Sequence, residues 1–79
     1  MYITITVINK NNNNNRYDLK VDKNQKIIEF LKIINESLKM NLNINNINFI
    51  KSITKKKLIS IYSTFEEENI YTGDIIEIG

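Results

Sequence analysis

Three groups of side chains could carry chemistry: the carboxylates of Glu66, Glu67 and Glu68, the hydroxyls of Ser37, Ser52, Ser60 and Ser63, and the ammonium groups of Lys51, Lys55, Lys56 and Lys57. Two carboxylates can divide acid and base roles when they face each other across a reacting bond. Three consecutive glutamates in a turn point in different directions instead, and read as a solvated face. A serine becomes nucleophilic through a neighbouring base, and the chain has no histidine to supply one. Cysteine is absent as well, which removes thiol nucleophiles, disulfides and, with the missing imidazoles, the usual zinc ligands. Oxygen-ligand metal sites stay open, but no pattern points to one. There is no glycine-rich loop to cradle a phosphate. The expectation is a protein with no catalytic residues, no cofactor, no metal and no small-molecule ligand.

Lys51, Lys55, Lys56 and Lys57 are the concentrated basic patch of the chain. Together with the neighbouring Ile53 they form the candidate partner-binding surface, facing an acidic protein and steering encounter more than setting affinity. The bland alternative is a soluble turn, since exposed lysine runs are common. The net charge of +2 is spread over separate Lys and Glu clusters, well below the field of a dedicated nucleic-acid binder, so nucleic acid is not the expected partner. Ile28 and Ile33, on the shoulders of an amphipathic helix, are a second candidate surface unless they tuck under neighbouring loops.

The elements that must position these residues follow from periodicity. Residues 2–8 alternate, with Ile3, Ile5 and Val7 on one face, and residues 17–21 repeat the rhythm with Tyr17, Leu19 and Val21 inward. Between them residues 9–16 are rich in asparagine, which tolerates left-handed turns, so a hairpin with a long loop is predicted and the asparagine run over 11–15 is read as a loop. Asp22, with Gln25 three residues on, predicts a capping box, and Asn24 is the alternative cap. The helix then runs to about Met40 with Ile27, Phe30, Leu31, Ile34 and Leu38 in one stripe and Glu29, Lys32, Glu36 and Lys39 facing water. Residues 41–46 read as a loop and 48–53 as a third strand, in which Ile50 and Ser52 oppose Phe49, Lys51 and Ile53 with the inward face left open. Residues 54–57 form a turn without Gly or Pro, 58–61 a short fourth strand and 74–78 the fifth. The order places a helix across one face of a mixed sheet, with the first and last strands side by side in its middle.

Seventy-nine residues make one domain, over 1–79, which hides only about 60% of the surface that its unfolded form exposes. Seventeen isoleucines can fill one core between a helix and a sheet, not two. Residues 1–8 alternate where a signal peptide would be basic and then continuously apolar, and residues 27–34 are too short to span a bilayer. With the lack of cysteine, this predicts a soluble, cytoplasmic protein.

The stretch Thr64-Phe65-Glu66-Glu67-Glu68-Asn69-Ile70-Tyr71-Thr72-Gly73-Asp74-Ile75-Ile76-Glu77-Ile78 resembles the closing section of a ubiquitin-like domain. It implies the α+β class: a ubiquitin-like β-grasp, a mixed five-stranded sheet packed on one helix. The given sequence ends Ile78-Gly79, whereas a working modifier needs a flexible diglycine tail, so a binding module is expected. The alternatives are a modifier or sulfur carrier acting through Gly79 and a nucleic-acid-binding β-grasp using the lysine patch. Ubiquitin is read through an apolar patch centred on an isoleucine of its third strand. Lys51 takes that place here, so ordinary ubiquitin receptors should bind poorly.

Within this class the chain resembles the YukD/EsaB ubiquitin-like proteins of bacterial type VII secretion systems. Met1-Tyr2-Ile3-Thr4-Ile5-Thr6-Val7 is similar to that family's first strand and Tyr17-Asp18-Leu19-Lys20-Val21 to its second. Ile50-Lys51-Ser52-Ile53-Thr54-Lys55-Lys56-Lys57-Leu58-Ile59 resembles its third strand and turn, and Gly73-Asp74 its last strand start. The resemblance spans essentially the whole chain. It departs at Lys56, where some members carry Gly, which predicts a different turn shape. What it implies is a small cytosolic accessory or regulatory protein that binds non-covalently, with the cytoplasmic domain of a membrane secretion component as partner.

Overall fold

The computed structural model describes residues 1–11 and 13–79; Asn12, in the run read as the first hairpin loop, lies outside them. Strands β1 (Tyr2–Asn9) and β2 (Asn15–Asp22) pair antiparallel from Tyr2 opposite Asp22 to Asn9 opposite Asn15. Both run beyond their expected ends, so the connection is shorter than the polar composition suggested. Ile3, Ile5, Val7 and Val21 are buried on the inner face, with Tyr17 and Leu19 packed at its margin.

The helix α1 (Ile27–Ser37) lays Ile27, Phe30, Leu31 and Ile34 into the core, with Leu38 partly buried behind them. Its beginning is not the predicted capping box. Lys26 occupies the cap position with no side-chain bond. The N–H of Ile27 donates instead to the Ser63 carbonyl at 2.9 Å, and that of Ile28 to the Ile61 carbonyl at 2.7 Å. Carbonyls of a distant segment thus satisfy helix donors that a local cap would otherwise serve. Asp22 closes a turn of its own: its Oδ1 accepts from the Asn24 N–H at 3.0 Å and its carbonyl from the Gln25 N–H, also at 3.0 Å. The helix also stops short of Met40. Lys39 takes a left-handed conformation, φ +51°, and the side-chain amide of Asn35 both accepts from Leu42 N–H at 2.7 Å and donates to Leu42 carbonyl at 3.1 Å. This clasp turns the chain back, burying Met40 and Leu42 ahead of a single 3₁₀ turn (Ile44–Asn46).

β3 (Phe49–Ser52) and β4 (Lys57–Ser60) form the second antiparallel hairpin, and β5 (Ile75–Ile78) enters the sheet last in sequence. β5 pairs parallel with β1 and antiparallel with β3, giving the order β2-β1-β5-β3-β4 with the first and last strands adjacent. The open question of the third strand is answered by burial: Ile50 and Ser52 face the core, while Phe49 and Lys51 face solvent. A T-shaped Phe30–Phe65 pair, ring centroids 5.3 Å apart, joins helix to closing segment.

A capping box does exist, at Thr64 and Glu67. The Thr64 N–H donates to Glu67 Oε1 at 2.8 Å, and the Glu67 N–H donates to Thr64 Oγ1 at 3.0 Å. Glu66 pairs with Lys23 at 2.7 Å. Two of the three glutamates therefore hold the segment that carries the buried Phe65.

Candidate protein-binding surface

The five proposed partner-binding residues lie on one strand and its turn, yet the fold separates them. On β3, Lys51 projects from the outer sheet face between Glu77 of β5 and Leu58 of β4, its register partners. Ile53 follows in the same alternation, half-buried, with its N–H donating to the Ile75 carbonyl at 2.9 Å. Lys56 and Lys57 are exposed at the hairpin tip, and Lys57 lies opposite the inward-facing Ser52, away from the Lys51 face.

Lys55 is a structural link. Its Nζ donates to Asp74 Oδ2 at 2.7 Å and stands 5.2 Å from the centroid of the Tyr71 ring. The same carboxylate oxygen accepts from the Tyr71 N–H at 2.9 Å. Asp74 is 6% exposed, so the ion pair is largely removed from water and ties the β3–β4 turn to the approach to β5. Around it the Lys55 N–H donates to Ser52 Oγ at 3.1 Å, and the Ile75 N–H to Thr54 Oγ1 at 2.8 Å. The turn residue Lys56 has φ +55°, the left-handed region that glycine favours. A lysine thus holds a backbone conformation that glycine would adopt without strain.

What gathers beside Lys51 instead is apolar. Phe49 is 58% exposed and Leu58 66%, diagonal neighbours across β3 and β4 on the outer face. They border a shallow depression that also includes Lys10, Lys51, Glu77 and Gly79. Lys10 reaches Glu77 at 3.8 Å, whereas Lys51 forms no ion pair among the described residues. The surface is thus an unpaired ammonium flanked by two large apolar side chains. Sequence reading reached Lys51 and Ile53 but not Phe49 and Leu58. The available signal was the alternation of β3, because burying Ile50 and Ser52 necessarily turns Phe49 outward.

Of the shoulder isoleucines, Ile28 packs against the core and Ile33 is 54% exposed. Among the described residues no group of His, Cys, Asp and Glu could hold a metal ion, and no helix is long and apolar enough to cross a membrane.

A scan against protein-family models finds no match, and neither does a search of curated proteins. Solved structures do match over nearly the whole chain. A designed protein based on ubiquitin superposes with a TM-score of 0.73 at 15% identity, covering 99% of this chain and 87% of its own. The ubiquitin of Caldiarchaeum subterraneum gives 0.71 at 14%, covering 98% and 90%. The C-terminal ubiquitin-like domain of mouse tubulin-specific chaperone e gives 0.71 at 10%, covering 98% and 84%. At such identities the likeness speaks of the fold alone, and with the strand order and single crossing helix it makes this chain a ubiquitin-like β-grasp.

Proposed function

We propose that this is a non-catalytic ubiquitin-like protein that binds a protein partner non-covalently through the outer face of β3 and β4. The observation that carries the reading is the cluster of exposed Phe49 and Leu58 around Lys51. Two large apolar side chains beside a cation suit a partner surface with an apolar contact flanked by a carboxylate. Desolvating the apolar pair would supply most of the affinity, and the lysines would steer encounter. The resemblance of the β3 segment, the first hairpin and the Gly73-Asp74 approach to the YukD/EsaB proteins supports a finer assignment. In it the chain is a cytoplasmic accessory or regulatory component of a type VII secretion system, and its partner is the cytoplasmic domain of a membrane-embedded secretion component.

The test is a tagged pull-down from the native host, divided between gentle and fully denaturing washes and read by mass spectrometry. A membrane secretion protein retained gently, lost on denaturation and lost with Lys51→Glu or Leu58→Ser is the expected result. A denaturation-resistant adduct through Gly79 would overturn it in favour of a modifier. Capture that is indifferent to both substitutions would move the binding site elsewhere.

A further inference from the structure

β2 forms one open edge of the sheet, eight residues long. Thr6 N–H donates to the Asp74 carbonyl and Gly73 N–H to the Thr4 carbonyl, so the even-numbered residues of β1 turn their main chain toward the β5 side. The odd-numbered ones, Ile3, Ile5, Val7 and Asn9, face β2 and meet its odd residues in register. The main-chain groups of Arg16, Asp18 and Lys20, and the N–H of Asp22, therefore point out along the free edge. An uncovered edge of this length is a template for another strand.

The side chains of these same four residues alternate in sign, Arg16, Asp18, Lys20, Asp22, on the outer face of the sheet. We propose that a second copy of this chain pairs antiparallel along β2, on a two-fold axis at Leu19, to make one continuous sheet. In that register Arg16 of each copy opposes Asp22 of the other, and Asp18 opposes Lys20, so all four cross-strand pairs are of opposite charge. It is also a register in which outward-pointing main chain meets outward-pointing main chain. Sliding by one pair so that the axis sits on Asp18 puts that carboxylate against itself and Arg16 against Lys20. With the axis on Lys20, two ammonium groups meet and Asp18 opposes Asp22. The strand is thus complementary to itself over all four charges only in the alignment centred on Leu19, and is repelled in the two adjacent ones.

The central charges are held ready. Thr6 Oγ1 donates to Asp18 Oδ1 at 2.7 Å, and Lys20 Nζ lies 5.2 Å from the centroid of the Tyr2 ring. A groove of about 570 Å³ follows this edge, lined on the helix side by Leu19, Val21, Phe30, Ile33 and Ile34 and elsewhere by Tyr2, Lys20 and Asp22 among others. Leu19 and Tyr17 of the second copy would enter it, covering the exposed Ile33. A single strand pair is a small interface, so association is expected to depend on concentration.

The test is sedimentation of the full chain from about 10 µM to about 1 mM, with Asp18→Lys, Lys20→Asp and the double exchange, each checked for unchanged circular dichroism. Wild type is expected to move from 9.3 kDa toward twice that mass. Each single reversal makes both central pairs repulsive and weakens association about tenfold or more. Mixing the two single variants, or combining the exchanges in one chain, restores it. A constant 9.3 kDa for wild type would overturn the proposal and leave the edge for a foreign strand. Association that ignores the reversals, or fails to recover in the mixture, would overturn it equally.

Discussion

Replacing Lys55 by Met should destabilise the protein by about 2–3 kcal/mol, more than any change at its neighbouring lysines. The magnitude follows from what is left behind. The side chain of Asp74 is 8% exposed and would retain one donor, the Tyr71 N–H at 2.9 Å, having lost an ammonium at 2.7 Å. Breaking a fully buried pair costs about 3–5 kcal/mol, but the Lys55 side chain is 26% exposed, so the pair keeps some solvent screening and the lower figure applies. Asp74→Asn should cost only about 1 kcal/mol, because an amide oxygen still accepts from Tyr71 and the freed lysine can reach water. With both changes the loss should stay near that of Asp74→Asn, since no carboxylate remains to be stranded. Urea unfolding reads all three: for a slope of about 1 kcal/mol/M, the midpoint falls by about 2–3 M for Lys55→Met and about 1 M for the other two. A Lys55→Met loss within about 0.5 kcal/mol, or strictly additive effects, would refute the clamp and return Lys55 to the free surface.

Lys51→Ile should leave stability within about 0.5 kcal/mol, because the residue stands on the outer face. A large drop in thermal midpoint would contradict that placement. Lys56→Gly should raise the midpoint by about 2–4 °C: relief of the left-handed backbone at φ +55°, about 1–2 kcal/mol, exceeds by about 0.5 kcal/mol the cost of the extra freedom of glycine in the unfolded chain. A loss of stability in differential scanning fluorimetry would refute the strain argument.

Strand and helix periodicity located nearly all of the elements, because a two-layer core of this size leaves each one a single buried face. The predicted stripe Ile27, Phe30, Leu31 and Ile34 enters the core because nothing distant competes with it. The ends of the helix were not legible. Its start is capped by carbonyls of Ile61 and Ser63, its finish by an asparagine clasp, and both are long-range or loop contacts invisible to local patterns. The capping-box signature itself was sound but was read at Asp22 and Gln25 when Thr64 and Glu67 also carried it. At the candidate surface, adjacency in sequence misled. Four lysines near one turn suggested one patch, yet a hairpin sends alternate residues to opposite faces and Asp74 claims Lys55.

The parallel seam between β1 and β5 has a mechanical meaning. Thr6 through Asn9 run beside Ile75 through Ile78 in the same direction, so tension applied at the two ends of the chain pulls these strands past each other along their length. The seam is loaded in shear, with its hydrogen bonds resisting together, whereas a hairpin pulled at its open end unzips one bond at a time. Resistance to such pulling is a matter of unfolding rate. A domain tethered by its ends, with Phe49, Lys51 and Leu58 engaged on the outer face, would keep that face intact until the seam itself gave way.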